Sequence, residues 1–214
     1  MNCRHSTDME FNFSYTVFYE DEYLLIVNKP AGMLVHPTVK EDGSTLYNYV
    51  AHYYKQQGLL HNIHPVSRLD RNTSGLVIFA KEPRIQFLLS QQEVIKKYLG
   101  IVTGTLPADR GIIEAPISRK EGSIIERCVS PNGKYARTDY KLISRRKHLS
   151  LLELQLHTGR THQIRVHMAY LGHPIAGDFV YGTPRTKEEL ALNGQCLHAG
   201  LIGFIHPRTN EYVE

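Results

Sequence analysis

Residues 64–81, HPVSRLDRNTSGLVIFAK, constrain this chain more than any other stretch. The tetrad Asn72-Thr73-Ser74-Gly75 is rich in turn formers, and five consecutive apolar residues, Leu76 to Ala80, follow it. A short unbroken apolar run bounded by turn residues reads as a buried strand. Just before the turn, Asp70 lies between Arg68 and Arg71. A lone acid at the mouth of a turn, backed by a rigid strand and ringed by cations, suits nucleophilic or acid–base chemistry on a polyanion. The same residues also fit a turn aspartate beside ordinary surface arginines. The rest of the chain has to separate these two readings.

The 214 residues are 42% hydrophobic and 21% charged, enough to build a buried core. Val17-Phe18-Tyr19 and Tyr23 to Val27 read as two strands of a hairpin turned by Glu20-Asp21-Glu22, with a turn at Lys29-Pro30-Ala31-Gly32 beyond it. Ser44 or Thr45 caps a helix running to about Gln57, with Leu46, Tyr49, Val50 and Tyr53 on one face. Pro83 opens another helix, and Tyr98 to Thr103 reads as a strand. Residues 105–135, rich in Gly, Pro, Lys and Arg, read as long excursions from a sheet. Two strong strands follow, Ala136 to Ile143 and Leu149 to Leu156. The basic tip between them, Ser144-Arg145-Arg146-Lys147-His148, reads as a solvated hairpin turn. No solenoid repeat or linker composition interrupts the chain. The expectation is a single α+β domain over residues 15–214, built on a central, mostly antiparallel sheet with a few packed helices. The polar residues 1–14 are expected to form a frayed tail.

Several function classes fall away. Cys3, Cys128 and Cys196 are odd in number and widely spaced, which argues against a disulfide framework and fits a reducing cytoplasm. No apolar run approaches the roughly 18 residues of a membrane span. There is no HExxH, no glycine-rich dinucleotide or phosphate loop, and no GxSxG elbow. His61 and His64 have helical i, i+3 spacing, but Pro65 and the strand pattern after it disfavour a helix there, and His157, His162 and His167, spaced by five, do not share a face. No cofactor is expected. A net charge of +4 permits a nucleic-acid partner.

The second informative stretch is LHTGRTHQIRVHMAYLGHPIAGDFVYG, residues 156–182. Thr158 or Thr161 can cap a helix from about Thr161 to Leu171, closed by Gly172. Ile164, Met168 and Leu171 then form a buried stripe, and His162, Arg165 and Ala169 share a second face. The helix start, flanked by Arg160 and His162, is a candidate phosphate seat. His162 and His167 also fit as satisfied structural histidines.

These segments, with NKPAGMLVHP (28–37), KKYLGIVTG (96–104) and LHAGLIGFIHP (197–207), occur in the order seen in RNA pseudouridine synthases of the RluA type. The resemblance covers about residues 17–207. It implies a cofactor-free isomerase that converts uridine in ribosomal or transfer RNA to pseudouridine, with a central mixed, largely antiparallel sheet crossed by an active-site cleft. It implies further that Asp70 is the essential aspartate, Tyr98 the active-site tyrosine and Arg165 the arginine paired with Asp70. Arg68 matches the arginine that helps hold the flipped-out nucleotide, and Arg71, Arg160 and His162 are further expected RNA contacts. Many relatives carry His where this chain has Ser67, and relatives usually continue beyond the position of Glu214. No membrane or obligate protein partner is expected, and a monomer is the simplest state.

The chemistry needs these residue types. Asp70 must be charged to attack the anomeric carbon or to take the neighbouring sugar proton, and a close Arg165 favours that form. Tyr98 offers a ring to stack on the flipped base and a hydroxyl near its carbon 5. The basic residues Arg119, Lys120, Arg127 and Lys134 are expected to meet phosphates. Two rivals remain: a non-catalytic RNA-binding protein on the same scaffold, and a glycosidase using Asp70. The latter needs a second carboxylate about 5–10 Å away. Asp178 is the one acid in a comparable loop, and the isomerase reading predicts that it is dispensable.

Overall fold

The two opening strands, β1 (Thr16–Glu20) and β2 (Leu24–Lys29), form the expected antiparallel hairpin. Asp21 turns it by accepting the backbone N–H groups of Tyr23 and Leu24 at 2.7 Å each. The structure, a computed structural model, describes residues 16–38, 44–58, 63–184 and 186–214. The expected tail and His61 lie outside them. Helix α1 (Leu46–Gln56) starts on a capping box between Thr45 and Asn48, which satisfies two otherwise open N–H groups. Its buried stripe is Leu46, Tyr49, Val50 and Tyr54, where the spacing predicts Tyr53. The hydroxyls of Tyr53 and Tyr54 both donate to Glu20; the Tyr54 ring is fully buried, and Tyr53 packs half-buried against the same core.

Strands β3 (His64–Pro65) and β4 (Ser74–Ala80) flank the loop that carries Asp70. Then come α2 (Pro83–Ser90), β5 (Ile95–Thr103), β6 (Arg110–Glu114), β7 (Ile117–Arg119) and β8 (Arg127–Val129). The long hairpin follows as β9 (Arg137–Arg146) and β10 (Leu149–Leu156), with Lys147 in the left-handed region at φ 54°. The chain ends with α3 (Gln163–Tyr170), α4 (Lys187–Leu190), β11 (Leu197–Ile205) and β12 (Tyr212–Val213). Residues 105–135 are thus not only excursions. β6 belongs to the main sheet against β9, and β7 and β8 form a separate two-stranded ribbon. β6 buries only Ile113, so its sequence carries almost no alternation to read.

The main sheet has ten strands in the path β1-β2-β4-β11-β5-β10-β9-β6, with β3 beside β4 and β12 beside β11. It is antiparallel except where β11 runs parallel to β4 at Ser74↔His198 and Gly75↔Ala199. A Cβ on Gly75 would lie 2.3 Å from the Ala199 carbonyl oxygen, and its φ is +117°, so only glycine permits this approach. The mixed, mostly antiparallel α+β fold is the expected one.

The sheet has two halves. Leu24 to Val27 and Val77 to Ala80 are all buried, because β2 and β4 are covered on both faces. Leu25, Val27, Val77 and Phe79 pack in the larger core with α1 and α3. Leu24, Ile26, Ile78 and Ala80 pack with Ile85 and Leu89 of α2 and with Phe204. Each fully buried side chain of this size contributes about 1.5–3 kcal/mol. Strand β10 instead alternates: Ser150, Leu152 and Leu154 are buried and their neighbours half-exposed. The loop bearing Asp70 therefore grows from the most firmly held part of the sheet.

Candidate active site

Asp70 sits in the loop between β3 and β4, and its carbonyl accepts the Thr73 N–H at 3.1 Å. The adjacent Arg71 carbonyl is a hub. It accepts the Gly32 N–H at 2.9 Å and the Lys29 Nζ at 2.9 Å. Lys29 is fully buried, and its remaining donors meet the carbonyls of Pro30 and Met33 at 2.8 Å each. Burial pushes this ammonium down to about 8; Asp70 pulls it upward, and Arg71 pushes it further down. Lys29 thus ties the Lys29-Pro30-Ala31-Gly32 turn to the loop of Asp70. Sequence reasoning took this segment only as a turn. The available signal was a lysine ending an otherwise apolar strand.

Arg165 reaches Asp70 from α3. Its Nη1 donates to Asp70 Oδ2 at 3.0 Å. Its Nε and Nη2 grip both oxygens of Asp178 at 2.7 and 2.9 Å. Burial opposes the charge on this guanidinium, but the hydrogen bonds to Asp178 and the charges of both carboxylates outweigh it and hold the group above its ordinary value. Asp178 Oδ1 also accepts the N–H groups of Val180 and Tyr181. Asp178, the acid expected to be dispensable, is thus built into the same cluster as Arg165 and Asp70. It is 3% exposed and fixes the direction from which Arg165 addresses Asp70.

The helix carrying Arg165 differs from its predicted form. It spans Gln163–Tyr170, and every residue from Gln163 to Met168 is buried. Val166, outside both predicted faces, joins Ile117 and Ala136 in a small core, while Leu171 of the expected buried stripe is exposed. The polar side chains tolerate burial because each is paired. Gln163 accepts from Thr158 Oγ1 and the Arg160 N–H and donates to the Arg137 carbonyl and Thr138 Oγ1. His167 bonds Thr138 Oγ1 and the Ala115 carbonyl at 2.9 Å each and is a core histidine. His162 does not lie on the helix. It precedes it in the left-handed region at φ 57°, with Nδ1 2.7 Å from the Tyr181 hydroxyl and Nε2 3.9 Å from Asp70 Oδ2. Burial lowers its pKa, and Arg165 and Arg127 lower it further against the pull of Asp70 and Asp178. The balance favours the neutral imidazole.

These groups line a cleft of about 340 Å³, within the roughly 300–1,000 Å³ of small-molecule sites. Asp70, Tyr98, Arg165, Arg68, Arg160 and His162 all line it, as does Ser67; Arg71 does not. Arg68 and Arg160 are exposed at the rim, where Arg160 Nε donates to the Tyr135 carbonyl at 2.9 Å. Tyr98, 8% exposed, forms part of the floor from β5. Burial and then the Asp70 charge raise its pKa well above the usual value, so its hydroxyl keeps its proton at neutral pH. Among the described residues no cluster of His, Cys, Asp and Glu fits a metal ion. No described helix is long and apolar enough to cross a membrane.

A carboxylate paired with a clamped arginine thus lies in a cleft with cationic rims over a mixed sheet. The sequence profile described as RNA pseudouridylate synthase matches residues 23–170. The uncharacterized RNA pseudouridine synthase YlyB of Bacillus subtilis is 44% identical over 205 residues, which is 92% of this chain and 67% of that protein. Ribosomal large subunit pseudouridine synthase D of Nitrosomonas europaea is 39% identical over 206 residues, 92% of this chain and 60% of that protein. The solved structure of human RNA pseudouridylate synthase domain containing 1 superposes with a TM-score of 0.77 at 25% identity, covering 94% of this chain and 82% of that one. The chain belongs to the RNA pseudouridylate synthase family, a family of RNA-modifying isomerases. It spans about two thirds of the length of the curated relatives it matches.

Proposed function

We propose that this protein isomerises specific uridines in RNA to pseudouridine, without a cofactor, on a base flipped into the cleft. The observation that carries this is the 3.0 Å pairing of Arg165 with Asp70 at the cleft. Asp70 starts the reaction, by attack on the anomeric carbon or by removal of the neighbouring sugar proton. Tyr98 gives the base a ring to rest on. Arg68, Arg160 and His162 offset the cost of unstacking, on the order of a few kcal/mol, through contacts to the RNA backbone. Arg71, outside the cleft lining, is proposed to reach the flanking strand. Residues 15–214 act as one catalytic domain, supported by the continuous main sheet. The names of the ribosomal large subunit relatives make large-subunit ribosomal RNA the first substrate to try, with transfer RNA next. The free Cys128 and Cys196 support a cytoplasmic setting.

The test uses unmodified RNA tritiated at uracil carbon 5. The wild-type protein is expected to release tritium to water, and Asp70→Asn to release none. Tight RNA binding by the wild type without release from either RNA would favour the binding-protein alternative.

A further inference from the structure

Two lysines lead into Tyr98 on β5, and they face opposite ways. Lys97 pairs with Glu153 Oε1 at 3.7 Å on the outer face. Lys96 shares the inner face with Tyr98, and both line the cleft. Among the described residues the Lys96 ammonium has no hydrogen-bond or ion-pair partner. Its neighbours across the sheet are Leu156 on β10 and Ile202 on β11, which offer hydrocarbon and no countercharge. Burial alone lowers its pKa below the usual lysine value. A partly dehydrated cation with no partner costs folding free energy, and such groups persist where a substrate supplies the partner.

We propose that Lys96 donates a hydrogen bond to a carbonyl oxygen of the target uracil and stabilises the negative charge that ring acquires when its glycosidic bond breaks. The proposal rests on the isomerase reading above, and it holds for either opening step. In both, the bond from sugar C1′ to N1 breaks with its electron pair going to N1. The uracil becomes an anion with charge spread over N1, O2 and O4. Attack by Asp70 leaves the sugar esterified to the carboxylate; removal of the C2′ proton leaves a C1′–C2′ double bond. Rejoining through C5 uses the ring's electrons, the C5 proton leaves, N1 gains a proton, and Asp70 is restored.

Other cations are less suited to this task. The Nε, Nη1 and Nη2 donors of Arg165 are already aimed at Asp178 and Asp70. Arg68 and Arg160 sit exposed at the rim, where phosphates run. The Lys96 Cα lies roughly 6.6 Å along the strand from that of Tyr98, so an extended lysine reaches the edge of a base resting on the ring.

The test compares wild type, Lys96→Met, Lys96→Gln and Lys96→Arg in single-turnover tritium release at saturating enzyme. The probe is the unmodified large-subunit ribosomal RNA tritiated at uracil carbon 5, with Kd measured by filter binding at the same salt. Both neutral variants are expected to be slowed about 100- to 1,000-fold, the range for loss of one donor to a developing anion, with Kd little changed. Arginine should recover at least a tenth of the lost rate. Neutral variants that keep the wild-type rate at saturation overturn the proposal. So does a defect confined to Kd, which would make Lys96 a phosphate contact. Fast neutral variants beside an active wild type sink only the role of Lys96. An inactive wild type sinks the isomerase reading and this proposal together.

Discussion

Solvent treats the arginine at the cleft and the basic tip of β9 and β10 in opposite ways. Arg165 is 6% exposed and shared between Asp178 and Asp70. At the tip of β9 and β10, Arg145, Arg146, Lys147 and His148 are all exposed, and Arg145 meets a still more exposed Asp109 at 2.7 Å. The distances are alike; the surroundings differ. Breaking a buried pair strands a charge in a poorly polarisable medium and costs about 3–5 kcal/mol. An exposed pair contributes about 0–1 kcal/mol, because water replaces either partner. Proximity of opposite charges says little until burial is known.

Three variants sharpen or break this contrast. Arg165→Met should have the largest effect. It leaves Asp70 and Asp178 facing each other unpaired, so turnover should fall by about 1,000-fold and unfolding should ease by about 3–5 kcal/mol in a denaturant titration. Near-normal turnover would refute the pairing as a catalytic requirement. Asp178→Asn keeps the shape but releases the guanidinium from one clamp. A reduction of about 100-fold in single-turnover rate is expected, the scale of a small misplacement of a reacting group. An unchanged rate would restore Asp178 to the bystander status that the sequence suggested. Neutralising the tip with Arg145→Gln, Arg146→Gln and Lys147→Gln should do least, changing RNA affinity and turnover by less than about threefold. A large loss of affinity there would mean that RNA reaches the far end of β10 as well as the cleft.

Sequence legibility ran against the importance of these regions. The tip is the most visible charge run in the chain. Asp178 is one acid in a loop, and its meaning comes from a helix that begins 15 residues earlier and turns back toward it. Strand β4 was readable because burial on both faces writes an unbroken apolar run. Helix α3 was placed nearly correctly, but its burial was not foreseen. Gln163, Arg165 and His167 are polar residues whose partners lie on distant strands, and polarity alone reads as exposure. Asp70, Tyr98 and Arg165 came from motif order. Lys29 and Lys96 escaped because a lysine beside a strand looks like any surface lysine until its neighbours are known.

The parallel contact between β4 and β11 bears on when the molecule can first work. Strand β11 enters between β4 and β5, so the strand behind Asp70 and the strand bearing Tyr98 do not pair directly. The wedge that joins them comes from residues 197–205, some 120 positions after Gly75. At about 5–20 residues per second, a translating ribosome needs on the order of ten seconds to supply it. Only in the last part of that interval, after Arg165, does the nascent chain carry its acid, its tyrosine and its arginine, still without the strand that sets them across one cleft. The cleft is therefore completed last, when β11 joins β4 to β5.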